Sequence, residues 1–454
     1  MQFPMKTSIS GARYARACVC VLAFAGAASA GELDYRLSAG VGRTDNIART
    51  PDNEIDETIA TAGLQFAFDQ STAKLRADVV GDIAYYDYLD DTFDSELLGN
   101  VYANGLFAIV PERFTWAAID QFGQVLSDPF SPPTPGNRQN INYASTGPDF
   151  MIGLGSQMRL RLGGRYSLTT YETSPLDSKS TSGSLAVIRE ISDHRSLSFN
   201  VNQSWTKYDE EALDADYDQT AAFVRYEAQG ARTNVQLDAG WNRLHRDSTD
   251  DDQTGALLNI DFSRRLSSAS TLEFRGGREF SSSAGDFRRD QGFTNVGLNT
   301  TPGIQTANPY QLDHASLAYE FFRNRTGFGV AGTWEDRSFE DDPLLDQTLN
   351  LYSAHVRRDL SPRASLDLAA AYSQGDFAGP SPSYDETTLG LTFQWRLSRS
   401  LSMRATFDHV DRNSDSPINE FTENRVMVTI GWGRGDPRAT RVPPSFGVDS
   451  MTGH

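Results

Sequence analysis

Apolar and polar residues alternate along this chain with a period of two, segment after segment. Residues 233–244, TNVQLDAGWNRL, show the unit. Val235, Leu237, Ala239 and Trp241 fall on one side of an extended strand, and Asn234, Gln236, Asp238, Gly240 and Asn242 on the other. A soluble sheet alternates in the same way, so one segment decides little. About twenty such segments, separated in strict rotation by short turns and long acidic loops, predict something narrower. The expected form is all-β: a transmembrane antiparallel up-and-down β-barrel of about twenty strands, eighteen being the other count the pattern allows, with lipid outside and water inside.

The first strand, residues 33–43, sets Leu33, Tyr35, Leu37, Ala39 and Val41 against Asp34, Arg36 and Ser38. The third, residues 74–86, sets Leu75, Ala77, Val79, Ile83 and Tyr85 against Arg76, Asp78, Asp82 and Tyr86. Three ionisable side chains on one face of one strand would be costly in a dry core and are ordinary in a wet lumen. The same alternation turns Arg161, Arg165, Asn202, Asp238, Glu273, Arg275 and Arg404 inward. With Arg76, Asp78 and Asp82 they are the candidate lumen-lining residues. They mix both signs, either tuning which solutes pass or bridging across the interior and closing it. The last strand, residues 424–432, points Val426, Val428, Ile430 and Trp432 at lipid. Residues 281–309 show no clear period, which predicts a functional loop folded into the pore or a strand pair with a weak signal.

Short turns of ~2–5 residues alternate with loops of ~8–30, the short-periplasmic, long-extracellular scheme of bacterial barrels. The turns collect arginine (Arg113, Arg195, Arg232, Arg325, Arg363, Arg399) and the loops collect Asp and Glu. An even strand number puts both termini in the periplasm of a Gram-negative cell, with the barrel in its outer membrane.

Composition refines this picture. Hydrophobic residues are only 39% of the 454, low for a dry core but compatible with a barrel, where alternate residues touch lipid. Residues 1–30 have the form of a secretory signal: Lys6, Arg13 and Arg16, an apolar stretch, then Ala28-Ser29-Ala30 before Gly31. Both cysteines, Cys18 and Cys20, lie within it, so the exported chain has no thiol or disulfide chemistry. Removing that segment leaves 38 basic against 60 acidic residues, a balance of −22. Such a chain is a poor partner for nucleic acid.

Candidate chemistry is sparse. The acidic run at residues 247–252, above all Asp250, Asp251 and Asp252, and the triplet Glu340-Asp341-Asp342 could offer carboxylate oxygens to a divalent cation. However, no EF-hand spacing is present. No cofactor motif occurs. His194 sits in a short turn, His245 at a strand end, His314, His355 and His409 within strands and His454 in the tail. None belongs to a nucleophile constellation, and no G-x-S-x-G elbow occurs. The expectation is a protein that is not an enzyme, with an outer-membrane hydrolase as the remote alternative.

Residues 40–66, GVGRTDNIARTPDNEIDETIATAGLQF with Asp45-Asn46 after the first strand, resemble the first hairpin of the Putative beta-barrel porin 2 family. NYASTGPDF (residues 142–150) and YEAQGARTNVQLDAGW (residues 226–241) are similar to later hairpins. The resemblance implies an outer-membrane barrel associated with exopolysaccharide systems: a porin-like channel, a barrel component of surface-polysaccharide secretion, or a non-conducting docking barrel of such a system. It implies contact with outer-membrane lipid and lipopolysaccharide, with the barrel assembly machinery and with polysaccharide-export proteins. No catalytic residue carries over. The chain then divides into a signal peptide (1–30), the barrel (31–432) and a periplasmic tail (433–454). That tail, with Pro437, Pro443 and Pro444, departs from barrels that end on an aromatic residue, a place Trp432 would otherwise fill.

Overall fold

The computed structural model describes residues 31–248, 251–290, 300–301 and 305–435, with the side chains of Asp251, Asp290, Thr300 and Thr301 left aside. The predicted signal and nearly all of the predicted tail lie outside these residues.

From β1 (Glu32–Thr44) onward, each strand pairs antiparallel with the next through β2 (Glu57–Ser71), β3 (Leu75–Tyr88), β4 (Glu96–Val110) and so on to β13 (Ser270–Ser281). β13 pairs with β15 (Tyr310–Arg323), and the meander continues to β21 (Phe421–Arg434). β21 then pairs with β1, from Tyr35 opposite Arg434 to Thr44 opposite Arg425, and closes the sheet. Twenty long strands thus form a barrel with no exposed edge, as the alternation predicted. The last strand runs on to Arg434, two residues beyond Trp432.

The surface is inverted relative to a soluble protein. Leu33, Leu37 and Val41 on β1, and Val426, Ile430 and Trp432 on β21, are exposed on the outer face. Arg36, Gln65, Asn200, Arg225, Asp238, Glu335 and Arg412 are buried. This arrangement is stable only when acyl chains lie outside and water inside. Six tryptophans mark the rims of the apolar band. Trp205, Trp241 and Trp334 lie toward the long-loop end and Trp116, Trp395 and Trp432 toward the short-turn end, each 41–52% exposed.

Between β13 and β15 the chain turns into the barrel. Helix α1 (Ser283–Asp290) is followed by the two-residue strand β14 (Thr300–Thr301). β14 pairs in parallel with β5 (Phe114–Leu126) at Gln124 and Val125. The wall makes room for this contact. The β4–β5 ladder stops at Val101 opposite Phe122, and β4 bends away at Gly99, whose φ of +145° suits glycine alone. The Gln124 amide replaces the missing rung, donating to the Gly99 carbonyl (2.9 Å) and accepting from its N–H (3.1 Å). Of the two readings left open for residues 281–309, the described parts support a loop folded into the pore.

Candidate functional site

α1 is held inside the barrel at both ends of its polarity. Its apolar foot, Phe287, is 1% exposed and packs with Val125, Ile141, Tyr143, Tyr171, Leu176 and Ala307. Its acidic foot, Asp286, accepts from Arg337 (2.9 Å) of β16 (Thr326–Ser338), from the Ser281 hydroxyl (2.8 Å), and from Arg289 and the Tyr310 hydroxyl. Arg337, itself 1% exposed, also holds Glu335 at 2.8 Å. Burial pushes the Asp286 carboxyl up, but Arg337, Arg289 and the hydroxyls outweigh it. The group stays below the usual carboxylate range and is charged at neutral pH. Backbone ties complete the seat: Thr306 N–H donates to the Ser283 hydroxyl (3.0 Å), and the Tyr208 hydroxyl donates to the Ala307 carbonyl (3.0 Å).

Beside this insert lies a lumen cavity of about 1700 Å³, reaching to the short turns at Lys74 and Arg113. Nine arginines and Lys74 line it, against five carboxylates (Glu112, Asp149, Asp238, Asp261 and Glu279). The chain as a whole has the opposite balance, 41 basic to 60 acidic residues. Most of the arginines come from inward positions of strands spread around the barrel, and two from the helix. Arg159, Arg161 and Arg165 lie on β7 (Met158–Tyr171), Arg225 on β10 (Tyr217–Gln229), Arg275 on β13, and Arg288 and Arg289 on α1.

Several of these arginines are paired across the wall. Arg225 grips Asp238 with two bonds (2.7 and 2.8 Å), and Arg165 meets Asp149 at 2.5 Å. Arg275 lies 3.4 Å from Asp261. Arg288 makes a different contact, resting its guanidinium 4.9 Å above the centre of the Tyr143 ring. Between the charged rows runs a neutral polar wall of Ser182, Ser184, Asn200, Asn202 and Ser204.

All ten residues predicted to line the lumen take the inward side of their strands. Arg76, Arg161, Arg165, Asn202, Asp238 and Arg275 border the cavity. Asp82 receives a bond from the buried Gln65 (2.9 Å), Asp78 stands opposite Asn104, Glu273 opposite Ser263 and Arg404 opposite Thr429. Four arginines escaped the sequence reading: Arg225, Arg288, Arg289 and Arg337. Arg225 could have been found from its alternation with the outward Val224. The helical arginines had a weaker signal, an acid early and two bases late in SAGDFRRD.

The acidic run is corrected in part. Asp251 and Asp252 belong to β12 (Asp251–Ser267) rather than to a loop. Asp252 is held on the outer face by Arg243 (2.6 Å) and His245 (2.9 Å), which occupies the oxygens a cation would need. Asp250 lies outside the described residues, as does the Asp251 side chain. Among the described residues no group of three His, Cys, Asp or Glu is placed to hold a metal. His355 contacts Glu320 (3.4 Å) and His409 contacts Asn424 (2.8 Å), neither with a nucleophile between them.

The profile of the family described as Putative beta-barrel porin 2 matches residues 347–432. No curated protein matches this chain. Among solved structures, a mutant of the ferric enterobactin receptor PfeA from Pseudomonas aeruginosa is similar at 10% identity, covering 88% of this chain and 80% of that one, with a TM-score of 0.44. The FrpB iron transporter from Neisseria meningitidis is similar at 7% identity over 88% and 81%, TM-score 0.45. OmpTdeltaL8, a loop-deletion mutant of an outer membrane protein of Vibrio cholerae, is similar at 10% over 89% and 100%, TM-score 0.33. The closed sheet and the inverted surface give the chain the outer-membrane β-barrel fold, and the likenesses to these structures are distant.

Proposed function

We propose that this protein is a passive, non-enzymatic channel of the Gram-negative outer membrane whose lumen favours anionic solutes. The short turns and both chain ends lie in the periplasm, and the long acidic loops face outward. Residues 1–30 direct export and are removed, the barrel assembly machinery inserts the rest, and the residues after Arg434 form a periplasmic tail. The observation that carries this reading is the inversion of charge, ten cations to five carboxylates on the cavity wall of an acidic chain. Low-dielectric walls of one sign raise the local concentration of the opposite ion. α1 narrows the path, so a solute must pass close to those side chains.

Planar bilayers test this directly. A reversal potential of anion-selective sign is expected across a potassium chloride gradient, and a cation-selective one would overturn the assignment. A second reading is a barrel component of surface-polysaccharide secretion. It is supported by the family match over residues 347–432 and by the hydroxyl and amide wall of β8 (Ser178–Ser192) and β9 (Arg195–Tyr208), which suits sugar hydroxyls. Loss of exopolysaccharide on deletion of the gene is its expected outcome, and normal polymer in a clean deletion removes it.

A further inference from the structure

Arg288 reaches the cavity from α1 rather than from the wall. Its neighbours Arg165, Arg225, Arg275 and Arg289 each hold a carboxylate. Among the described residues, the contacts of Arg288 are with Tyr143 alone: the guanidinium lies over the ring, and one of its N–H groups donates to the hydroxyl at 3.4 Å. The side chain is exposed to the lumen. Among the described residues no carboxylate is paired with its positive charge, which faces the lumen.

Tyr143 is built to hold that guanidinium in place. Its ring is 8% exposed and sits in the cluster with Phe287, the residue before Arg288. Its hydroxyl donates to the Ser167 hydroxyl (3.0 Å), which donates on to Ser145 (2.9 Å). The proton order of this chain leaves the tyrosine oxygen free to accept from Arg288. A guanidinium that spends one N–H on the tyrosine hydroxyl keeps its other N–H groups for a ligand. Those donors match the paired oxygens of a carboxylate or phosphate, and the hold of the buried ring limits the entropy lost on binding. The floor beside it is neutral and hydroxylic, so a bound oxyanion meets no opposing carboxylate from Ser145 or Ser167.

We propose that Arg288, seated on Tyr143, is a saturable docking point for oxyanions, carboxylate or phosphate, within the lumen. The inference rests on the anionic-channel reading and sharpens it, from a general bias of the wall to one site at which solutes pause. A diffuse bias gives a current that rises smoothly with each anion. A docking point makes an oxyanion compete with chloride for the same passage.

The test uses the full-length protein in two arms. In bilayers carrying chloride current, inorganic phosphate or acetate is added to one side. Wild-type current is expected to fall and level off, and Arg288→Gln to need about tenfold more oxyanion for the same block, the change expected from losing one charge-assisted contact. Tyr143→Leu, which removes the platform and keeps the charge, is expected to weaken block in the same direction. Arg399→Gln, at an exposed short turn outside the cavity lining, is expected to leave it unchanged.

In the second arm, phosphate line broadening by phosphorus NMR, and acetate broadening by proton NMR, are measured on protein in detergent micelles. This reads binding whether or not the pore conducts. Broadening that Arg288→Gln abolishes supports the site, and which ion responds identifies the oxyanion. Absence of block and broadening for both ions, or equal effects in wild type and Arg288→Gln, overturns the site. Loss of anion selectivity with broadening intact overturns the channel reading instead. Unchanged heat-modifiable migration of each variant in gels shows that the barrel has formed.

Discussion

Arg225 and Asp238 face each other across β10 and β11 (Thr233–Arg246) with two short bonds, and both are nearly inaccessible, at 10% and 5% side-chain exposure. Replacing Asp238 by Asn leaves the guanidinium without its counter-charge in a crowded part of the wall. The expected loss is about 2 kcal/mol, read from urea-dependent unfolding in lipid vesicles. The double variant Arg225→Met, Asp238→Leu should recover part of it, because two matched apolar groups leave no buried charge unpaired.

A second residue points the other way. Asp120 alternates with the cavity-lining Ile119 and Gln121 and so lies on the outer face of β5, six residues from Phe114. Outward residues at the same depth on other strands, such as Val201, Ala239, Leu317 and Val428, are apolar. Asp120 receives one bond from Asn142 (3.2 Å). Asp120→Leu is expected to raise stability by about 1 kcal/mol in the same titration, since acyl chains cannot solvate the carboxylate. A fall would show that a group beyond Asn142 holds it in the membrane.

At the scale of the element, α1 is eight residues long, far short of what holds a helix together in isolation. Its stability comes from the Phe287 pocket and the Asp286 ion cluster, so those contacts decide whether the lumen stays narrowed. Asp286 titrates below its ordinary value of 3.8, since its cationic and hydroxyl partners outweigh its burial. A group depressed in the folded state contributes fully above the unfolded value and loses that contribution as pH falls through the folded one. Release of the α1 seat should therefore begin only below the ordinary carboxylate value of 3.8, and the narrowing it imposes on single-channel current should hold steady from about pH 8 to 5. Asp286→Asn should give the altered, larger current at neutral pH. A step between pH 5 and 7 would place control of the constriction elsewhere.

At the scale of the molecule, the inverted surface makes neighbouring positions respond unequally to the same substitution. Leu317 on β15 is 52% exposed on the outer face, and the adjacent Ser316 is 8% exposed on the inner one. Leu317→Arg is expected to cost about 2–4 kcal/mol, the penalty for a cation at the lipid face near mid-membrane. Ser316→Arg keeps its charge on the polar inner face, though opposite Arg275, and is expected to cost less, about 1 kcal/mol. Equal effects at the two positions, in vesicle refolding yields, would contradict the lipid-outside arrangement.

Much of this was legible in the chain, and the boundary has a physical cause. Period-two alternation fixes which side of a strand each residue occupies. The outward Leu33, Val41 and Trp432, the inward Arg76, Asp82 and Arg165, and the count of twenty strands therefore followed from local spacing alone. Alternation carries no information about which inward residues meet. That depends on register between strands, which sets Arg225 against Asp238, and on contacts between distant segments, such as Thr44 and Arg49 with Glu423. The fate of residues 281–309 was hidden for the same reason. The segment has no period of its own, and the partners that draw α1 inward, Arg337 and Tyr143, lie far from it in sequence and reach it only once the sheet has closed.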